Sequence, residues 1–321
     1  MRTGLRYVRP LLLAVLLAAA PARAEAPRVV ASIKPIHSLV AGVMQGVAEP
    51  ALLVAGNQSP HDYAMRPSDA RLLEGADIVF WVGPSMETFL DESLGVLAIG
   101  ATVVSLIEAP GLVLLETREG GLHDHDEDAA YGHGDEAADS KDAPGHDHGD
   151  VDAHIWLDPG NARRLVTAIA ERLAALDAAN TDRYRGNADS LTARIDAMDA
   201  RIAEWLAPVR DRPYLVFHDA YQYLERHYRL NAAGTVTVSP EIRPGAARLR
   251  ALRAAIAAQG AVCVFAEPQF EPPLIDTIVE GTGVRRGVLD PLGVDLSAGP
   301  DHYAATMEAL AGALVDCLAW R

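Results

Sequence analysis

Histidine and acidic side chains are concentrated in one run of the chain, from Gly120 to Asp150. Five of the eleven histidines lie there, each with a carboxylate close by in sequence: His123, His125, His133, His146 and His148. Neutral imidazole and carboxylate bind borderline divalent ions such as zinc, so this composition predicts a flexible, acidic loop, residues 118–150, that collects metal. The alternative is a solvated acidic loop without that role, because low apolar content by itself predicts only disorder.

Three of the other six histidines lie at positions where α/β proteins place their ligands. His218 ends an apolar segment with the composition of a strand, and His61 follows another such segment. His154 comes shortly before a predicted helix start at Asp158. Open parallel sheets bind ligands at the carboxyl ends of their strands, so these three side chains could converge on one cleft.

One carboxylate completes this set, because Asp290 directly follows the strand-like segment GVL, residues 287–289, and takes the matching position in the second half of the chain. Three imidazoles and one carboxylate form a closed tetrahedral zinc site, with zinc to nitrogen distances of about 2.0 to 2.1 Å. The predicted metal ligands are therefore His61, His154, His218 and Asp290. Taken singly, each histidine is as well explained as a hydrogen-bonded structural residue, and this is the interpretation kept for His37, His227 and His302.

Apolar, β-branched segments alternate with helical segments on both sides of the acidic run. Before the run they lie at 29–33, 51–55, 77–82 and 101–106; after it they lie at 214–218, 234–238, 261–266 and 287–289. Such alternation is typical of βαβ units around a parallel sheet. The chain is also longer than a single hydrophobic core usually supports. We therefore predict an α/β fold with two βα lobes.

The two predicted lobes, residues 25–157 and 213–321, are joined by helices within 158–212. Asp158 and Pro159 have the preferences of an N-cap and a first helical position. A second helix is predicted at 181–207, where one apolar stripe is formed by Leu191, Ile195, Met198, Ile202 and Trp205. A helix of this length would extend about 40 Å and could hold the lobes rigidly, although an ordinary packed helix in one lobe explains the spacing equally well.

The first 24 residues have the features of a secretory signal peptide. Three arginines precede the short apolar run 11–20, and Ala22, Arg23 and Ala24 form a cleavage site. No cysteine follows that site directly, so we expect a protein of the Gram-negative periplasm without a lipid anchor. Removing the leader takes the formal net charge from −16 to about −20, which makes nucleic acid a poor partner.

The chain contains two cysteines, Cys263 and Cys317. In an exported protein they are expected to form one disulfide that joins the C-terminal helix to a buried strand. A cysteine metal site is the weaker interpretation, because no CxxC pair is present.

Seven segments together resemble one known family. They read SPHDYAMRPSD, DIVFWVGPSME, DAHIWLDP, VFHDAYQYLE, VSPEIRPGAARL, CVFAEPQF and LDPLG. In this order, and with the acidic histidine run before DAHIWLDP, they resemble the zinc-specific periplasmic binding proteins of ABC transporters, the ZnuA-type family. The resemblance extends over essentially the whole chain after the leader. It implies two βα lobes joined by a long rigid helix, with the metal buried where the lobes meet.

The resemblance also implies roles for individual residues. His61, His154 and His218 match the three histidine ligands of the family, and Asp290 matches the fourth position. Some zinc-binding members have a glutamate directly before the first histidine, where this chain has Pro60. The fourth position therefore falls to Asp290 or to water, and Asp290 is preferred.

Two further positions bear on the metal and its surroundings. Glu267 matches a residue expected to hydrogen-bond a ligand or a loop around the site. Manganese-binding relatives have a carboxylate where His218 stands, so the imidazole in this chain favours zinc.

We therefore expect a high-affinity, monomeric zinc-binding protein that captures Zn(II) and delivers it to an ABC permease in the inner membrane. The histidine-rich loop is expected to be a weaker collecting or sensing site. A manganese- or iron-binding protein of the same fold is the first alternative. A zinc hydrolase is the second, and it is disfavoured because no HExxH-like motif supplies a catalytic base.

Overall fold

The computed structural model describes residues 26–118, 151–237, 245–270 and 273–319. The predicted leader and the five histidines of the acidic run, His123, His125, His133, His146 and His148, lie outside the described residues. The fold and the site are described for these four ranges of residues.

Two parallel sheets of four strands each form the framework. The first contains β1 (Val29–Ala31), β2 (Ala51–Leu52), β3 (Ile78–Trp81) and β4 (Thr102–Ser105), in the order β2-β1-β3-β4. The second contains β5 (Tyr214–Val216), β6 (Ala232–Thr235), β7 (Cys263–Ala266) and β8 (Arg285–Val288), in the equivalent order β6-β5-β7-β8. The predicted α/β class with two βα lobes is confirmed. The strands are mostly shorter than the apolar segments that predicted them, and β6 and β8 each begin two residues before the predicted segment.

Helices connect the strands and link the two halves. Their bounds are α1 (Lys34–Val43), α2 (Pro67–Glu74), α3 (Thr88–Leu97), α4 (Pro159–Leu176), α5 (Thr181–Leu206), α6 (Gln222–Tyr228), α7 (Ala246–Gln259), α8 (Pro273–Val279) and α9 (His302–Leu318). Asp158 caps α4 as predicted, because its side chain accepts a hydrogen bond from the backbone N–H of Asn161 at 3.0 Å. Among the helices that the structure describes, none is both long and apolar enough to cross a bilayer.

The two central strands of each sheet are buried on both faces, as strands of parallel sheets usually are. In β1, Val30 faces an outer cluster with residues of α2 and α3, whereas Val29 and Ala31 face the centre of the molecule. The second sheet has the same alternation, with an outer cluster against α7 and α8. The inward faces of both sheets belong to one hydrophobic core, which continues through α1, α4, α5 and α9.

The long helix α5 lies within this shared core and packs against α1, α4 and α9. Four predicted stripe residues are buried: Leu191, Ile195, Met198 and Ile202. The prediction for Trp205 is wrong, since it is 44% exposed and Leu206 is buried instead. Tyr184 and Ala188 are also buried, so the packed face is centred towards Leu206 and Trp205 lies at its margin. The domain bounds given above stay a prediction.

The predicted disulfide is present between Cys263 and Cys317. Cys263 begins β7 and Cys317 lies in the last turn of α9, 54 residues further along the chain. Both cysteines are buried. The bond therefore fastens the C-terminal helix to a central strand of the second sheet.

Reduction of this disulfide is expected to lower the free energy of unfolding by about 2–4 kcal/mol, because the unfolded chain regains the conformations that the closed loop excluded. Urea unfolding of the wild-type protein with and without reductant measures this difference. A Cys263→Ala, Cys317→Ala double variant is the control, since reductant should not affect it. Equal stability of oxidised and reduced wild-type protein would contradict the expectation.

Candidate metal centre

The position of His218 follows from the topology of the second sheet. His218 comes two residues after β5, and Glu267 comes directly after the neighbouring strand β7. Parallel neighbours end at the same edge of a sheet, so the two side chains emerge together where the strand order reverses. Nδ1 of His218 lies 2.6 Å from Oε1 of Glu267, and both residues are buried. A carboxylate only accepts hydrogen bonds, so Nδ1 of His218 carries the proton and Nε2 is directed away from Glu267.

His154 is oriented by a second carboxylate. The backbone N–H of His154 and its ring Nδ1 both donate to Oδ1 of Asp152, at 3.0 and 2.8 Å. The short 3-10 helix Ile155–Leu157 follows directly, with all three residues buried and fixed by α4 beyond it. The ring of His154 is therefore held in one orientation, again with Nδ1 as the donor and Nε2 free to accept.

His61 comes from the loop between β2 and α2 in the first lobe. Its backbone N–H donates to Oγ of Ser59 at 3.2 Å. Further along the loop, the hydroxyl of Tyr63 and the backbone N–H of Arg66 donate to Oδ2 of Asp69, at 2.9 and 2.7 Å. These hydrogen bonds fasten the loop to the first turn of α2, and the fold brings His61 close to His154 and to His218, which comes from the second lobe.

The three imidazoles form one cluster. One ring nitrogen from each of His61, His154 and His218 lies within 4.8 Å of the others. Nε2 of His154 and Nε2 of His218 are 3.4 Å apart. Two nitrogen ligands of a tetrahedral zinc ion, at bond lengths of about 2.0 to 2.1 Å, are separated by about 3.3 to 3.4 Å. Nδ1 of each ring is engaged by Asp152 or Glu267, so Nε2 is the nitrogen that faces the other ring and that can bind a metal ion once it carries no proton.

A small cavity, about 10 Å³ in volume, lies at this cluster. The rings around it are aromatic: the centroid of Trp156 is 5.3 Å from that of His154, and the centroid of Phe270 is 5.7 Å from that of His218. A volume of this size holds about one water molecule or one ion. Its lining consists of Ser59, Pro60, His61, Met86, His154, Trp156, His218, Glu267, Gln269, Phe270, Pro291 and Leu292.

The cluster affects the charge of its own members. Burial and the neighbouring imidazoles of His154 and His218 lower the pKa of His61 well below 6.5, so this ring is neutral and able to bind metal. For His218, burial is the largest single effect and would lower the pKa, but the carboxylates of Glu267, Asp219 and Asp152 together outweigh it and raise the pKa. A cation at this position is therefore stabilised, whether it is a proton or a metal ion.

Asp290, the fourth predicted ligand, lies outside this cluster of ring nitrogens. Its Oδ1 accepts from the backbone N–H of Leu292 at 3.1 Å and from Nε2 of Gln269 at 2.9 Å. Its Oδ2 accepts from the backbone N–H of Val294 at 2.6 Å. Asp290 therefore closes the turn after β8, and its role as a metal ligand stays a prediction.

Other polar residues around the cluster were not expected from the sequence. The role of Asp152 has a local signal, because an aspartate two residues before a histidine can accept from both its backbone and its ring. Gln269 has no such signal, since only the fold brings it to the cavity.

The three remaining described histidines make structural contacts. Nε2 of His37 is 3.0 Å from the carbonyl of Pro50, and Nε2 of His302 is 2.8 Å from the carbonyl of Leu292. His227 lies between Asp158 and Asp199, and these carboxylates outweigh the effect of burial and raise its pKa to about 9. None of the three belongs to the cluster around His154.

The fold and this cluster define a class: a two-lobed α/β binding protein with a candidate metal centre where its lobes meet. The sequence profile described as "ZnuA: Zinc-uptake complex component A periplasmic" matches residues 29–317. The chain therefore belongs to the ZnuA family.

Relatives with curated names agree with this assignment. A "High-affinity zinc uptake system protein ZnuA" from Brucella abortus is 48% identical over 309 residues, which is 92% of each chain. A protein of the same name from Yersinia pestis is 38% identical over 310 residues, or 96% of each chain. Among solved structures, one described as "Crystal structure of ZnuA" has the same fold, with a TM-score of 0.73 and 24% identity, covering 91% of this chain and 99% of that one.

The charge of Glu267 should control the proton that a metal displaces from His218. Glu267→Gln keeps a hydrogen-bond acceptor for Nδ1 but removes the negative charge, so the pKa of His218 should fall. We expect fewer protons released on zinc binding near pH 7 and a zinc affinity about 10- to 100-fold lower. Calorimetric titrations in buffers of different ionisation enthalpy measure both quantities.

Glu308→Gln is the matched control for this variant. It neutralises a carboxylate that pairs with Arg201 on the outside of α5, at 2.5 Å, and should leave proton release unchanged. If Glu267→Gln behaves like Glu308→Gln, the charge of His218 is not set by Glu267.

Proposed function

We propose that this protein captures zinc in the periplasm and delivers it to the membrane permease of an ABC transporter. Its curated relatives carry the name of high-affinity zinc uptake proteins, and its family is described as the periplasmic component of a zinc-uptake complex. The observation that carries the proposal is the pair of Nε2 atoms of His154 and His218, which lie 3.4 Å apart. A cation between the two nitrogens, either a shared proton or a metal ion, stabilises this arrangement.

The proposed ligands are His61, His154 and His218, with one further oxygen ligand. Three imidazole nitrogens suit zinc better than manganese, which prefers carboxylate, carbonyl and water oxygens. Asp152 and Glu267 lie behind two of the imidazoles and hold each ring with Nε2 directed towards the cavity. A manganese- or iron-binding protein of the same fold is the alternative, and competition between zinc and manganese for the same protein decides between them.

In the proposed mechanism the protein binds and releases the zinc ion and catalyses no reaction. Zinc binds when His218 loses the proton on Nε2, so affinity falls as the pH decreases through the raised pKa of His218. The cavity has room for little beyond the ion, and apolar rings form much of its wall. A zinc hydrolase needs space for a substrate beside the metal, which argues against that alternative.

The remaining features of the proposal concern transport. The first 24 residues act as a signal peptide for export, and the mature protein works as a monomer. Its partner is the permease in the inner membrane. The histidine-rich segment within 118–150 serves as a weaker, auxiliary site that raises the local zinc concentration near His154, because tethering gives effective concentrations on the order of millimolar.

Single substitutions of the cluster test the main site. His61→Ala, His154→Ala or His218→Ala should each weaken zinc binding at least about 100-fold, from a wild-type dissociation constant of about 1 nM or lower. Competition with a chelator of known affinity measures these constants. His227→Gln is the control, because His227 contacts Asp158 and Asp199 instead of the cluster. Unchanged affinity in His61→Ala would refute the proposed site.

Removal of residues 120–150 tests the auxiliary site. Glu116 and Val151 form an antiparallel bridge, so the two ends of the segment already lie close together and a short Gly-Ser linker can join them. We expect the shortened protein to keep one tightly bound zinc ion and to lose additional, weaker ones. Equilibrium dialysis with zinc in excess counts the bound ions. Loss of the tight ion would show instead that this segment supplies a primary ligand.

A further inference from the structure

Gln269 is a polar side chain that borders the metal cavity and is not one of the proposed metal ligands. It lies two residues after Glu267, in the loop that follows β7, and it borders the same cavity as the three histidines. Its Oε1 is buried and has no hydrogen-bond partner among the described residues. A buried acceptor without a donor is destabilising, so its presence beside the candidate centre calls for a donor at that place.

The orientation of the Gln269 amide is fixed by chemistry. Its Nε2 lies 2.9 Å from Oδ1 of Asp290. Because a carboxylate only accepts hydrogen bonds, the atom facing Asp290 must be the NH₂ group, and the carbonyl oxygen therefore points the other way. The unpartnered atom is thus an acceptor for which the described residues supply no donor.

Asp290 is itself held firmly. Its two oxygens accept from the backbone N–H groups of Leu292 and Val294, at 3.1 and 2.6 Å. Turning this carboxylate towards the histidines would leave those two groups without an acceptor. The geometry suits Asp290 to holding Gln269 in place better than to binding the ion.

A zinc ion bound by three imidazoles requires a fourth ligand. Water bound to zinc is more acidic than free water and is correspondingly a strong hydrogen-bond donor. We propose that Gln269, oriented by Asp290, holds a water molecule as the fourth ligand of the ion, with Oε1 accepting one of its protons. This proposal rests on the proposed function, since it needs zinc at the three histidines. Gln269 is then a positioning residue that acts through the bound water. When the ion leaves the protein, this water is exchanged before any imidazole ligand is.

Two measurements test this role. Gln269→Leu has a similar volume and lacks the acceptor, so its zinc affinity should be about 10- to 100-fold lower in chelator competition. In wild-type protein loaded with cobalt(II), the electron paramagnetic resonance signal should broaden in water enriched in oxygen-17, because that nucleus couples to the metal only when a water molecule is a ligand. Gln58→Leu is the matched control: Gln58 is exposed, accepts from Arg66 and does not line the cavity, so its affinity should stay unchanged.

The outcomes separate this proposal from the proposed function. If Gln269→Leu binds zinc as tightly as wild type while His61→Ala does not, the role of Gln269 is overturned and the histidine site stands. A cobalt(II) signal that oxygen-17 water does not broaden overturns the proposal too, because a protein ligand then completes the shell. If His61→Ala also binds normally, the proposed function itself fails. Melting of the metal-free variants monitors folding; Gln269→Met replaces Gln269→Leu if the latter unfolds, and the oxygen-17 measurement needs no variant.

Discussion

Adjacent parallel strands hold His218 and Glu267 side by side, and the candidate centre depends on this pairing. It fixes the tautomer of the ring and directs Nε2 into the cavity. Asp152 does the same for His154 through the backbone of its own segment. The two carboxylates behind the imidazoles also balance the two positive charges of a zinc ion. A divalent ion can then enter a nearly dry cavity without leaving a net charge buried there, which would otherwise be costly.

Much of the framework could be predicted from the sequence because its signals are local. Buried parallel strands are short apolar runs, and all eight were recognised, with errors of a few residues at their ends. The cap at Asp158 and the bounds of α5 follow from residue preferences at helix ends. The error at Trp205 has a physical reason: the stripe is set by the surface that α5 packs against, and an indole placed at its margin can remain half-exposed at modest cost.

The centre itself could be predicted only in part. His61, His154 and His218 lie at strand ends or helix starts, where sheet topology alone brings side chains together, and family resemblance named the same three residues. Asp290 accepts hydrogen bonds from the backbone N–H groups of Leu292 and Val294, and no sequence pattern predicts these bonds, because they depend on how the turn after β8 closes. Gln269 was missed for the same reason. An amide in an irregular loop has no periodicity or charge that marks it, and its importance appears only when the contacts on both of its ends are known.

The hydrophobic core runs without a break from one sheet to the other through α1, α4, α5 and α9. A large rotation that swung the lobes apart would expose this surface to water at roughly 25 cal/mol for each square ångström, so even a few hundred square ångströms would cost as much as a large part of the stability of a typical domain. Wide opening is therefore costly. If zinc occupies the three histidines as proposed, small movements of the segments that carry His61 and Gln269 give the ion a less costly path, while the helices between the sheets stay packed. Release then requires displacement of a few side chains at the rim of the cavity and no separation of the lobes.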